Sequence, residues 1–233
     1  VYAAQVYCMD YNIGKLIDYL EEEGKLDNTL ILFLSDNGAC AEPYSEKGFG
    51  STSEINKLDS WVHPSYGLPW AQVSNTPYRK YKVRAYEGGI ATPLIISWPE
   101  VLGKYSNQIR RNVGFVPDIM ATFVEVARAE YPTTYHDGNS IIPMAGTSLM
   151  STVHNPDKHE YIFGEHFNNC FVRWKNWKAV KDEKMKEWEL YDIEKDRTEW
   201  NNVAAEYPDV LKKMVRKWEE WANECYIFPK RLN

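Results

Sequence analysis

The stretch Thr29-Leu30-Ile31-Leu32-Phe33-Leu34-Ser35-Asp36-Asn37-Gly38 decides the fold class, because an apolar run stops abruptly at a polar cluster. Large and β-branched side chains without polar alternation predict a strand buried on both faces, as in the centre of a parallel sheet. Asp36 and Asn37 would follow its carboxyl end, where ligands bind in open α/β sheets. Their hard oxygens suit Ca²⁺ or Mg²⁺. A simple Asn-Gly turn explains the same residues, and both interpretations stay open here.

The flanking segments predict an α/β arrangement. Apolar residues at helical spacing from Val6 to Leu20 predict a helix before the strand, with Gly24 suited to cap its end. A second apolar run at 93–98 predicts another strand, and 116–128 predicts an amphipathic helix with Phe123 on its apolar side. Helices alternating with strands indicate part of a mixed or parallel sheet with flanking helices.

The pattern changes after Pro143. Short alternating segments near 161–166, 171–174, 177–181 and 187–191 predict a small antiparallel sheet. A helix from about Pro208 to Cys225 follows, and we expect it to bury Met214, Trp218 and Trp221. We therefore expect an α/β domain at 1–143 and a small α+β subdomain with a C-terminal helix at 144–233.

Two loops separate the predicted elements of the first domain. The segment 39–74 looks irregular, and its aromatic residues Trp61, Tyr66 and Trp70 could wall a pocket for a ring or a sugar face. We expect His63 to be an ordinary loop histidine. The next loop places four cations within the six positions 79–84 and closes on Glu87-Gly88-Gly89. Such a cluster suits an anion site or simply a solvated basic loop.

Composition excludes several classes of protein. A net charge of −6 and a pI near 5.5 argue against nucleic acid or an anionic membrane as the main partner. No apolar run is long enough to cross a bilayer. The four cysteines are widely scattered without zinc-type spacing, so we expect free thiols.

The order of these segments resembles the C-terminal half or more of a type I sulfatase, of the alkaline-phosphatase-like superfamily. The similar segments are Leu-Asp-Asn-Thr at 26–29, Phe-Leu-Ser-Asp-Asn-Gly at 33–38, Ser-Asn-Thr-Pro-Tyr-Arg at 74–79, Tyr-Lys at 81–82, Tyr-Glu-Gly-Gly-Ile at 86–90, Thr-Pro-Leu-Ile at 92–95, Pro-Asp-Ile-Met-Ala-Thr at 117–122 and Glu-Leu-Tyr-Asp-Ile at 189–193. Together they span nearly the whole chain in the order of the family.

The resemblance implies specific roles. Asp36 and Asn37 match the pair that binds the active-site Ca²⁺, and Lys82 matches the catalytic lysine that contacts the sulfate. Trp61 and Trp70 remain candidates for binding the rest of the substrate. If these roles are right, the tips of Asp36, Asn37 and Lys82 should lie within about 10 Å of each other.

One family motif is missing. These enzymes oxidise the Cys or Ser of Cys/Ser-x-Pro-x-Arg to formylglycine, whose hydrated aldehyde attacks sulfur. The nearest string here, Asn75-Thr76-Pro77-Tyr78-Arg79, begins with Asn, which cannot become formylglycine. We therefore expect a truncated or cleaved sulfatase that is inactive alone and binds Ca²⁺ weakly or not at all.

Three functions remain open. The first is hydrolysis of an aryl or carbohydrate sulfate, with the N-terminal sulfatase portion as partner. The second is a phosphonate or phosphodiester hydrolase of the same superfamily, and the third is a non-catalytic remnant that binds a glycan or a partner. Family resemblance implies a periplasmic or extracellular location.

Overall fold

The structure is a computed structural model and describes residues 2–42, 67–152 and 159–227. Trp61, His63 and Tyr66 lie outside these residues. The helices are α1 (Tyr2–Glu22), α2 (Gly67–Ser74), α3 (Glu87–Ile90), α4 (Pro99–Leu102), α5 (Pro117–Val126), α6 (Leu149–Thr152) and α7 (Pro208–Glu224). The strands are β1 (Ile31–Leu34), β2 (Leu94–Ser97), β3 (Tyr161–His166), β4 (Asn169–Trp174), β5 (Trp177–Lys181) and β6 (Glu189–Asp192). Within the described ranges, no helix is both long and apolar enough to span a bilayer.

The residues group into two compact units. One comprises 1–107, 163–172 and 176–233, and the other comprises 108–162 and 173–175. The sequence pattern instead places a division after residue 143, and that division stays a prediction. The cysteines Cys8, Cys40, Cys170 and Cys225 are free thiols.

The pairing of β1 differs from the sequence prediction. β1 pairs antiparallel with β2, with Ile31 opposite Ser97 and Leu34 opposite Leu94, whereas the apolar run predicted a parallel central strand. Burial on both faces is also wrong for these residues, since Phe33 is 43% exposed. Among the described residues β2 is the only strand bonded to β1, so nothing completes a sheet around it.

The helix predicted before the strand is confirmed as α1, but no residue of α1 is buried. Its apolar side chains Val6, Met9 and Leu16 are largely exposed. Gly24 adopts a positive φ of 62°, and the amides of Gly24 and Lys25 bond the carbonyls of Glu21 and Leu20. These bonds confirm the prediction that Gly24 caps the C-terminal end of the helix.

The segment predicted to be irregular up to Ser74 ends in a helix, α2. Pro69 lies in its first turn, where proline removes no helical hydrogen bond, so the Gly-Leu-Pro string permits a helix start.

The C-terminal sheet confirms the alternation in the sequence. Four strands follow in the order β3-β4-β5-β6, and β5 pairs antiparallel with β6 from Trp177 opposite Asp192 to Val180 opposite Glu189. The helix α7 buries Met214, Trp218 and Ala222, while Trp221 is only half-buried. The Trp218 indole donates to the Gly164 carbonyl at 3.1 Å, which joins α7 to β3.

The buried residues of α5 are Asp118, Ala121 and Thr122, so its buried side is largely polar, whereas its periodicity predicted an apolar side. Asp118 and Thr122 are fully buried, whereas Phe123 is 49% exposed. The Asp118 carboxylate accepts hydrogen bonds from the Phe115 and Thr147 amides and lies 2.9 Å from His159 Nε2. Because these contacts satisfy the charge, burying this carboxylate is tolerable.

A buried ion triad joins the loop before β2 to the C-terminal sheet. The Lys178 ammonium on β5 lies 2.8 Å from a carboxylate oxygen of Glu87 and 2.8 Å from one of Glu199. The other Glu199 oxygen accepts the Glu87 amide at 2.6 Å. All three side chains are at most 4% exposed, so this cluster holds α3 against β5 without help from water.

Two tyrosines reinforce the same junction. The hydroxyls of Tyr86, on the loop, and Tyr191, on β6, both donate to the Glu189 carboxylate at 2.6 Å. Burial and this carboxylate raise the pKa of both phenols, so the two tyrosines remain protonated donors. Tyr86 and Tyr191 also belong to a buried cluster with Ala85, Val180 and Ile193.

Replacing Trp218 tests the packing of α7. Trp218→Ala should lower the free energy of unfolding by about 3–5 kcal/mol, because it removes a buried ring that also contacts Trp188 and Trp221. Urea denaturation measures the change. The matched control is Trp200→Ala, since Trp200 is 72% exposed and should cost under about 1 kcal/mol. Equal losses in the two variants would contradict this placement of the helix.

Replacing Lys178 tests the ion triad. Lys178→Met should lower the free energy of unfolding by about 3–5 kcal/mol at pH 7, because it leaves Glu87 and Glu199 buried together without a cation. Denaturation measured in parallel on Lys195→Met, an exposed cation, should show a much smaller change.

The same variant has a predicted pH dependence. Burial raises the pKa of Glu199, because lost hydration outweighs its attraction to Lys178. A carboxyl with a raised folded-state pKa binds its proton more tightly when folded, so stability falls as pH rises from the unfolded pKa to the folded one. Removing Lys178 widens that window, so the deficit of Lys178→Met should shrink between pH 7 and pH 5. A deficit that grows on acidification would refute the triad.

Candidate functional site

The polar turn after β1 packs against the cation-rich loop through backbone hydrogen bonds. The Gly38 amide donates to the Gly89 carbonyl at 3.0 Å, and the Lys82 amide donates to the Ala39 carbonyl at 3.1 Å. Gly38 is buried, and a Cβ there would collide with the carbonyl of Gly88. The turn containing Asp36 and Asn37 therefore lies against the segment that contains Lys82.

Asn75 ties these two segments together through its side chain. Its carbonyl oxygen accepts the Ala39 amide at 3.0 Å, and its amide group donates to the Lys80 carbonyl at 3.0 Å. Its sequence context shows that this residue cannot become formylglycine and that it lies in the family-like segment 74–79, but does not predict these bonds.

The loop around Lys82 is held in an unusual backbone conformation. Lys80 and Val83 have φ values of 69° and 79°, a region that a β-branched residue rarely adopts. The Arg84 guanidinium beyond Val83 lies 2.8 Å from Asp182 and 3.0 Å from Glu183. Strained backbone persists only where its surroundings fix it, and it concentrates at functional sites.

Paired glycines allow the close approach of the loop to itself. A Cβ on Gly88 would meet the carbonyl oxygens of Arg79 and Lys80, and one on Gly89 would meet that of Arg84. Gly88 and Gly89 are thus required by packing, since no side chain fits between these backbone segments.

The side chains of Asp36 and Asn37 fit part of a calcium site. Asp36 is exposed and Asn37 half-buried, and neither side chain bonds another residue in the described part of the chain. Their hard oxygens are therefore available to a cation. Two ligands are far fewer than the six to eight or so that Ca²⁺ prefers. Residues 2–42, 67–152 and 159–227 contain no group of three or more acidic, histidine or cysteine side chains that could hold a metal.

The other predicted residues are placed separately. Lys82 is half-buried in its loop, with its amide fixed to the turn. Trp70 lies on α2 and is 63% exposed, and Trp61 falls outside the described residues. The roles of Lys82, Trp61, Trp70, Asp36 and Asn37 stay predictions.

Comparison with known proteins identifies the family. The "Sulfatase" family model matches residues 1–129, and the model for the C-terminal region of N-sulphoglucosamine sulphohydrolase matches 78–224. An uncharacterized sulfatase of Schizosaccharomyces pombe is 33% identical over 94% of this chain and 42% of its own length. The N-acetylglucosamine-6-O-sulfatase of Bacteroides thetaiotaomicron is 29% identical over 94% of this chain and 34% of its own.

Solved structures agree with this match. The crystal structure of Ps i-CgsB in complex with k-i-k-neocarrahexaose superimposes with a TM-score of 0.66 at 27% identity, covering 95% of this chain and 42% of that one. The chain thus spans between about a third and two fifths of the length of these relatives. The expected α/β architecture of the alkaline-phosphatase-like type, followed by a small antiparallel sheet and a C-terminal helix, is confirmed. The chain belongs to the sulfatase family.

Proposed function

We propose that the complete protein hydrolyses sulfate esters, and that this chain supplies Lys82 and two of the calcium ligands. The observation that supports this most directly is the bond from the Lys82 amide to the Ala39 carbonyl. It places the loop lysine next to the turn that contains Asp36 and Asn37.

Each residue has a defined task in this proposal. The Lys82 ammonium is a compact charge that holds the negative charge growing on the sulfate oxygens as the S–O bond breaks. Asp36 and Asn37 supply hard oxygens to Ca²⁺, which, when bound, polarises the sulfate. The formylglycine nucleophile and the remaining ligands belong to the part of the sulfatase domain that this chain does not contain.

The substrate in this proposal is a carbohydrate sulfate, in preference to an aryl sulfate. The similar proteins include one named for N-acetylglucosamine-6-O-sulfate and one solved with a carrageenan-type hexaose. The resemblance to the sulfatase family supports a periplasmic or extracellular location in this proposal.

The exposed apolar side of α1 suits the missing N-terminal portion as its partner. Val6, Met9 and Leu16 line this side, and Phe33 and Ile95 are exposed on the neighbouring strands. Exposed apolar side chains in this number are typical of an interface, and the chain spans about two fifths of the curated relative that it resembles.

The assignment of Lys82 is tested in the complete protein. Lys82→Ala should lower kcat/KM for a sulfated glucosamine by about 10²–10³, because it removes one preorganised charge at the sulfate. Steady-state release of sulfate measures the effect, and Lys186→Ala, an exposed lysine, is the control with unchanged activity. This 233-residue chain alone should release no sulfate above background. Full activity without Lys82 would disprove its role even if the protein is a sulfatase.

The calcium assignment makes a separate prediction. In the complete protein, Asp36→Ala should abolish both activity and tight Ca²⁺ binding, because a carboxylate that binds the metal directly is lost. Calorimetry should show weak or no Ca²⁺ binding by this chain alone, since it offers only two of about six to eight ligands. Asp209→Ala, on the first turn of α7, is the matched control. Micromolar affinity of the isolated chain would contradict the shared site.

A further inference from the structure

A groove lies beside the candidate site and has no part in the proposed chemistry. It is an open, shallow groove lined by Gln72, residues 76–80 and Trp200, with a volume of about 390 Å³. This volume falls in the range of about 300–1,000 Å³ typical of small-molecule sites. All its lining residues belong to the same compact unit, so its shape does not depend on the position of the other unit.

The groove presents an aromatic face beside fixed positive charge. Trp200 is 72% exposed, and the Arg79 guanidinium lies 5.6 Å from the centre of its ring. Arg79 also donates to the Glu199 carbonyl at 2.7 Å and to the Tyr191 hydroxyl at 3.2 Å. Both acceptors are neutral groups, and the guanidinium is also attracted by the Glu189 carboxylate, which accepts the Tyr191 hydroxyl.

Lys80 adds a second cation. Within the described residues its ammonium forms no ion pair with a carboxylate, although the chain as a whole carries a net charge of −6. Its positive φ is maintained by the Asn75 bond to its carbonyl. Two neighbouring cations, of which Lys80 has no carboxylate partner in the described ranges, form a local anion site in an otherwise acidic protein.

The turn that contains Trp200 is rigidly held on both sides. Glu199, immediately before it, is part of the buried triad with Lys178, and the Asn201 amide after it donates to Asp196 at 2.7 Å. A turn held in this way needs little reordering of its backbone when a flat ligand stacks on the exposed indole.

The geometry points to a binding subsite for a sulfated sugar ring, with the sugar face on Trp200 and its sulfate near Lys80 and Arg79. This deepens the proposed function, on which the identity of the ligand rests. Asn75 links the groove to the turn after β1, since it bonds both Lys80 and Ala39. The subsite would therefore bind a unit of the same glycan other than the one that loses its sulfate.

Direct binding to the 233-residue chain tests this subsite without relying on turnover. The probes are a sulfated glucosamine disaccharide, the same disaccharide without sulfate, and inorganic sulfate, each titrated by calorimetry at low salt. We expect Trp200→Ala to weaken binding of the sulfated disaccharide by about tenfold or more, as loss of an anchoring indole does. Lys80→Met should weaken it several-fold, and both added salt and removal of the sulfate should do the same.

The controls separate this subsite from the candidate active site. Lys186→Met removes an exposed cation outside the groove and should leave affinity unchanged. Unaltered affinity in both Trp200→Ala and Lys80→Met would overturn the subsite. If Lys82→Ala alone abolished binding, the sugar would occupy the candidate active site, which overturns the subsite while leaving the proposed function intact. Equal affinity for inorganic sulfate and for the sulfated disaccharide would overturn recognition of the sugar.

Discussion

The interaction on which the structure depends is the pair of contacts from the Lys178 ammonium to Glu87 and Glu199. Charges removed from water are costly unless each is paired and hydrogen-bonded. Here two carboxylates share one ammonium, and the Glu87 amide and the partly exposed Arg197 supply further donors. Alternative placements of the loop would strand a buried charge, so the triad specifies one position of α3 relative to β5.

This constraint explains how the loop around Lys82 tolerates its strained backbone. Glu87 anchors one end of the loop in the triad, and Asn75 anchors the other end to the turn after β1. Between these anchors, Arg84 is paired with Asp182 and Glu183. A charge that stabilises a transition state must be in place before the reaction begins, because reorganising it would cost the energy that it supplies. The C-terminal sheet thus helps to fix the backbone of the loop that contains Lys82.

The sequence predicted those elements whose patterns are local. The strands from Tyr161 to Asp192 follow from alternation, and the end of α1 follows from Gly24. The partner of β1 was not predictable in this way, since the apolar run is the same for a parallel and an antiparallel neighbour. The prediction of which residues of α5 are buried was wrong for a related reason. The apolar periodicity favoured Phe123, whereas Asp118 is buried because it bonds Thr147 and His159, which are distant in the sequence.

The triad shows why the residues of a candidate site can be recognised from sequence while the buried residues that hold them in place cannot. Asp36, Asn37 and Lys82 fall in short segments that resemble a family, so each can be assigned from its neighbours. Glu87 bonds Lys178, which is 91 positions away in the sequence, and Glu199, which is 112 positions away. No residue adjacent to Lys178 or Glu199 in the sequence signals that these side chains are buried. Charged residues are usually solvated, so composition favours the surface for all three. Only the folded chain reveals that these three charged residues are buried together beside the loop that contains Lys82.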